Sequence, residues 1–150
     1  MNPDRSGRLA AAMERGLPDA GFVVPALDSA SAFAHDVVEV FGRSWLPLVR
    51  VSEVARGTYR AFDLLHWHLL VVHDASGALR VLHNVCPHRG AAVTSAPAGT
   101  CSTFVCPYHQ FRFGPDGRFL GAPRAHTFGC DLTDGLSDLG EVTSGTWGGW

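Results

Sequence analysis

The chain has 150 residues, 46% hydrophobic and 17% charged, with a formal net charge of −2. That length supports one domain with a real core. The charge balance offers no basic footprint for nucleic acid, and no block of like charge suggests an interaction tail.

The N-terminal stretch carries Arg5, Arg8, Glu14 and Arg15 and lacks an apolar segment of the kind a signal peptide needs. A short helix through Arg8 to Arg15 is predicted, ended by Gly16 and Pro18. A stronger helix follows Ser31, where Phe33, Val37, Val40 and Phe41 recur at helical spacing before Gly42. Residues 1–43 thus read as an N-terminal helical segment. From Trp45 the pattern changes, and residues 44–150 read as one mainly β domain. Strands are predicted over Trp45 to Val51, Thr58 to Phe62 and Trp67 to His73, with Asp74 to Gly77 as a turn and Leu79 to Asn84 pairing back as a hairpin. The longest apolar run, Leu64 to Val72, is too short to cross a bilayer and carries His66 and His68. Further on, Thr103 to Val105 and Arg118 to Leu120 read as short strands around the turn Gly114 to Gly117. Short strands with close turns predict an antiparallel β-sandwich or barrel. Trp147-Gly148-Gly149-Trp150 resembles the opening of an unfinished apolar strand, which suggests a fragment or a natural truncation.

Four cysteines are present: Cys86, Cys101, Cys106 and Cys130. With no export signal, a cytoplasmic location follows. Thiols near histidines in a reducing compartment point to metal or catalysis before disulfides. Cys86-Pro87-His88-Arg89-Gly90 holds a Cys-x-His pair and Cys106-Pro107-Tyr108-His109 a Cys-x-x-His pair, with 17 residues between them. Each pair follows a predicted strand, so two loops at strand ends can pinch one cofactor. Thiolates suit iron–sulfur clusters and imidazoles also bind iron. Two Cys on one iron and two His on the other give a Rieske arrangement, whose lower negative charge raises the potential relative to an all-cysteine cluster. Pro87 and Pro107 stiffen the loops, and Gly90 permits unusual backbone near a ligand. Zinc is the competing reading, but one residue between Cys86 and His88 is tight for two ligands on a single ion.

The two boxes, Cys86-Pro87-His88-Arg89-Gly90-Ala91 and Cys106-Pro107-Tyr108-His109, resemble those of the Rieske domain of Rieske non-haem iron oxygenase α subunits, the aromatic-ring-hydroxylating type. The resemblance runs from about Phe41 to Trp150 and implies a Rieske-type β fold. It also implies a 2Fe-2S cluster on Cys86, His88, Cys106 and His109. Gln110 and Phe111 depart from the commoner Gly-Trp, and a Gln there resembles a subset acting on small quaternary amines. The cytochrome bc branch adds a bridging cysteine to each box and hydroxyl donors after the second histidine. Ala91, Tyr108, Phe111 and Phe113 occupy those places here. Without the hydroxyls the reduced state is less stabilised, so a potential in the lower part of the roughly −150 to +300 mV Rieske range is expected.

The resemblance further implies a reductase or ferredoxin donor, a homotrimer, and a mononuclear iron on two His and one carboxylate in a downstream catalytic domain. Asp63-x-x-His66-x-His68 is the nearest such grouping and does not match that spacing, so the oxygen-activating site is expected to be missing from these residues. The alternatives are a self-standing Rieske ferredoxin and a zinc-stabilised interaction module. His66 and His68 read as polar tips on one strand face. His35, His73, His83 and His126 read as surface or supporting residues, and Cys101 and Cys130 as buried free thiols. Arg89 either docks an acidic partner or stays solvated.

Overall fold

The computed structural model describes residues 30–123, 125–127, 129 and 138–150. The helix expected over Arg8 to Arg15, and Cys130, lie outside them. The chain divides into two compact units, Met1–Leu46 and Pro47–Trp150. In the first, helix α1 spans Ala30–Glu39 with Val37 as its buried residue, and a 3-10 turn over Phe41–Arg43 follows.

The second unit is built on two antiparallel sheets. The larger contains β1 (Thr58–Leu64), β2 (Trp67–His73), β3 (Leu79–His83), β4 (Ala98–Thr100) and β8 (Glu141–Val142), in the order β4-β1-β2-β3-β8. The smaller contains β5 (Phe104–Val105), β6 (Arg112–Phe113) and β7 (Phe119–Gly121). The continuous apolar run of β2 has a direct cause, because both faces of the larger sheet are covered. Leu70 and Val72 face one way, into a core shared with Leu82, Phe104, Phe111 and Phe113. Leu69 and Val71 face the other, into a second core with Val54 and Val81. Fully burying a Leu or Val contributes about 1.5–3 kcal/mol, so a strand buried on both faces loses the alternation of a half-exposed one.

The hairpin β2–β3 forms as its turn chemistry demands. The Asp74 carboxylate accepts from Ser76 Oγ at 2.6 Å and from the Ala78 N–H at 2.9 Å, and these donors hold it below its ordinary pKa. The Gly114–Gly117 turn also forms, its Gly117 N–H donating to the Gly114 carbonyl at 3.0 Å.

Three expectations are corrected. Trp45 to Val51 is not a strand: this stretch is irregular up to a 3-10 turn at Val51–Glu53. Pro47 removes a ladder donor, and Leu48 and Val49 pack on the second core without pairing. His66 does not share a strand face with His68, because Leu65 and His66 form the two-residue turn between β1 and β2, register Leu64↔Trp67. Leu65 holds φ 56°, a position that turns usually give to Gly or Asn, so the sequence carried no turn signal. Finally, Trp147 to Trp150 is a tight turn closed by reciprocal backbone bonds of 3.0 Å, not a strand. Trp147 is 87% exposed, and the half-exposed Trp150 lies under the Arg50 guanidinium at 4.6 Å.

Strand β4 had no sequence signal. It pairs with the edge of β1 with Gly99 opposite Tyr59, and a Cβ at Gly99 would lie 2.9 Å from Tyr59 Cε1. Tyr59 is buried edge-on to Phe104 at 5.2 Å. Gly99→Ala must therefore displace a core ring, and a loss of about 1–3 kcal/mol is expected in a urea melt.

Candidate metal centre

Two turns carry the chemistry, and they are closed alike. The Cys86 N–H donates to the Ala91 carbonyl at 2.8 Å, and the Gly90 N–H donates to the Cys86 carbonyl at 2.9 Å. In the other turn the Cys106 N–H donates to the Phe111 carbonyl at 2.8 Å, and the Gln110 N–H donates to the Cys106 carbonyl at 2.9 Å. In each, the residue four beyond the cysteine adopts positive φ: Gly90 at 72° and Gln110 at 57°. The first turn leaves β3 and the second joins β5 to β6.

The sequence-predicted ligands come together in pairs. Both thiols sit in the main core, Cys86 at 2% exposure and Cys106 at 1%. Burial pushes the Cys86 thiol above its ordinary value, and the adjoining Cys106 thiol adds to this by hydrogen bond and charge. The N–H groups of His88 and Arg89 donate to Cys86 and pull the other way. The imidazoles of His88 and His109 lie edge to face, centroids 4.6 Å apart. Burial, then the charges of His109 and Arg89, hold His88 below its ordinary value, which favours the neutral form that binds metal. His88 Nδ1 is shielded from solvent.

Among the described residues no three His, Cys, Asp or Glu side chains converge as a lone ion requires. The donors form a thiol pair and an imidazole pair instead, a set that fits two adjacent irons with two protein ligands each better than one tetrahedral zinc. The backbone donors to the Cys86 sulfur are of the kind that tune such a cluster.

Three residues support the site, and Asn84 among them carried no motif. Asn84, the buried polar residue two positions before Cys86, ties both ends of the first ligand loop together. Its Oδ1 accepts from the N–H groups of Val93 and Thr94 at 3.0 Å, its Nδ2 donates to the Thr94 carbonyl at 2.9 Å, and its N–H donates to the His68 carbonyl at 2.8 Å. Tyr108 lies over His109 with centroids 3.9 Å apart, and Phe111 stacks flat on His88. The one available clue to Asn84 was an amide side chain closing the strand predicted over Leu79 to Asn84, next to the first box.

The remaining candidates do not join this centre. His68 and Asp63 are exposed cross-strand partners bonded at 2.6 Å, lining with Asn84 and Thr94 an open cavity of about 290 Å³. His66 packs on Trp67 with centroids 4.4 Å apart and the rings tilted by 43°. His73 meets the Val54 carbonyl through Nδ1 at 2.7 Å, His83 is half-buried beside Gly140, and His35 and His126 are exposed. Cys101 is a buried free thiol in the main core, pushed up by burial and then by Asp74.

Residues 44–137 match the family model of the Rieske [2Fe-2S] domain. The chain is 32% identical over 115 residues to the glycine betaine monooxygenase oxygenase subunit of Pseudomonas aeruginosa, covering 75% of this chain and 27% of that one. It is 35% identical over 92 residues to the large oxygenase component of the naphthalene 1,2-dioxygenase system of Pseudomonas putida, covering 61% and 20%. The crystal structure of naphthalene 1,2-dioxygenase from Rhodococcus bound to indole superposes with a TM-score of 0.74 at 28% identity, covering 89% of this chain and 32% of that one. The chain thus spans about a quarter of the length of the curated relatives it matches.

Two outcomes test this geometry. Gln110→Gly relieves a left-handed backbone position, and a gain of up to about 1 kcal/mol is expected by denaturant titration. The Cys86 thiol has its pKa raised on folding from 9.0, so the metal-free fold binds that proton more tightly than the unfolded chain does. This contribution is fully present below the unfolded value and is lost as pH rises through the folded one. The melting temperature of the metal-free protein should therefore fall on the alkaline side of about pH 9, as scanning calorimetry would record.

Proposed function

The chain belongs to the Rieske [2Fe-2S] domain family, and we propose that it relays single electrons through a cluster held by Cys86, His88, Cys106 and His109. The donor is a reductase or ferredoxin, and the acceptor is the mononuclear non-haem iron of a ring-hydroxylating-type oxygenase. The observation that carries this reading is the pairing of thiol with thiol and imidazole with imidazole on two turns of one backbone design. When bound, the cluster supplies a one-electron couple. The chain's own residues do the rest. Burial keeps water from the sulfurs, the N–H groups of His88 and Arg89 donate to Cys86, and half-buried His109 keeps one edge of the site open.

Residues 44–150 form the electron-relay domain in this reading, and residues 1–43 a helical segment before it. The oxygen-activating iron belongs to a catalytic domain of the kind that makes up the rest of the matched relatives' length, and a homotrimer would place it in a neighbouring subunit. A cytoplasmic location accords with the free thiols of Cys86, Cys101 and Cys106. Among the described residues, no helix is long and apolar enough to cross a membrane. Glycine betaine is a small quaternary amine, so one relative agrees with the hint at Gln110, whereas naphthalene is an aromatic hydrocarbon. Substrate choice rests with the catalytic domain.

The purified protein should contain about two irons per chain and, once reduced, give the EPR signal of a Rieske cluster. Redox titration should place its potential in the lower part of the roughly −150 to +300 mV range. His88→Ala and His109→Ala should each abolish the signal, while Cys101→Ala should keep full iron content. A normal Rieske signal in His109→Ala, or zinc in place of iron, would overturn the assignment.

A further inference from the structure

Phe111 belongs to the second ligand turn, yet it packs on the ligand of the first. Its ring lies within 9° of parallel to the His88 imidazole, centroids 4.7 Å apart, in the range of favourable stacking. Phe111 is 2% exposed. Phe119 braces it from a second side at 5.1 Å, and Phe113 stands 6.1 Å beyond Phe119. The rings run from one imidazole into the smaller sheet.

A nitrogen lone pair lies in the plane of its imidazole, so the ring plane sets the direction of any bond that nitrogen makes to a metal. Rotation of His88 about its Cβ–Cγ bond would drive ring atoms into the face of Phe111. A wholly buried, braced ring yields little to such a push. We propose that Phe111 is a positioning residue for the Rieske centre, fixing the His88 ring plane and keeping water off its face. This rests on His88 being a cluster ligand. The stack also links the two turns, since Phe111 follows the His109 box while holding the imidazole of the other.

Loss of the flat ring should loosen the imidazole and admit water beside a centre that gains one negative charge on reduction. Water stabilises that charge, so the potential should rise. The test compares Phe111→Leu, which keeps apolar volume without a flat face, with Phe111→Tyr, which keeps the face. Both are made in the full chain with its cluster loaded. Iron content, potential and the imidazole nitrogen hyperfine couplings of the reduced protein are measured. Phe111→Leu is expected to hold its iron, shift the reduction equilibrium about tenfold (about 59 mV for one electron) and alter the coupling of one imidazole. Phe111→Tyr is expected to keep the parent's imidazole coupling, while its added hydroxyl raises the potential by its own route.

Parent values in Phe111→Leu, or the same altered imidazole coupling in both variants, would overturn the inference. Should Phe111→Leu fail to load, Phe119→Leu decides, because it removes the brace without touching His88. A smaller shift in the same direction supports the role, and an unchanged potential refutes it. If the parent protein shows no Rieske signal, the cluster assignment has failed and not the role of Phe111 alone.

Discussion

The site depends on a pair of backbone hydrogen bonds made twice. In each ligand turn the cysteine donates its N–H five residues ahead and accepts at its carbonyl from four residues ahead, at 2.8 and 2.9 Å in both turns. This closure fixes the cysteine side chain toward the core and lifts the three following residues outward. It also explains the exposure pattern, with Cys86 and Cys106 buried and Pro87, Arg89, Pro107 and Tyr108 exposed. A net hydrogen bond contributes only about 0.5–1.5 kcal/mol. Two of them per turn, with a core behind each thiol, hold Cys86 beside Cys106 and His88 beside His109.

That shared closure gives the two boxes one frame, in which their unequal spacing becomes a one-residue offset. In a shared frame, His88 occupies the third position of its turn and His109 the fourth, so Tyr108 stands where His88 would be and Arg89 where His109 would be. Had both histidines occupied the same position, they would be related as the turns are. The one-residue offset instead accompanies an edge-to-face pair, 63° between planes, with the two rings held differently. His88 stacks on the buried ring of Phe111, while His109 carries the exposed Tyr108.

Much of this was legible in the sequence because it rests on local chemistry. The four candidate ligands stand out by residue type and spacing, and the fold brings them together as a thiol pair and an imidazole pair. The turns at Asp74–Gly77 and Gly114–Gly117 follow from what Asp and Gly do to a backbone, and β2 from an apolar run of strand length. The features that escaped depend on what lies across space. β4 is three small or polar residues whose pairing exists because Tyr59 needs a neighbour without a Cβ. The turn at Leu65-His66 is imposed by pairing on either side, against the preference of a leucine at φ 56°. Asn84 looks like any strand-end amide until its partners at Val93 and Thr94 are seen. The reading of Trp147–Trp150 as a strand took composition for geometry, where two glycines permit reciprocal turn closure.

Gln110 and Phe111 show how a strained position and a packed one can belong together. Glycine at position 110 would make the left-handed conformation easy, as Gly90 does in the twin turn. The backbone holds that conformation with a side chain present, at a cost on the order of 1 kcal/mol. The restraints are visible on both sides. Residue 110 donates to the Cys106 carbonyl, and residue 111 accepts from the Cys106 N–H while its ring is wedged between His88 and Phe119. A residue bonded ahead of the strain and stacked behind it cannot relax without releasing the ligand turn. The strain is therefore borne by the same contacts that orient His88, and relieving it at Gln110 should leave the stack at Phe111 in place.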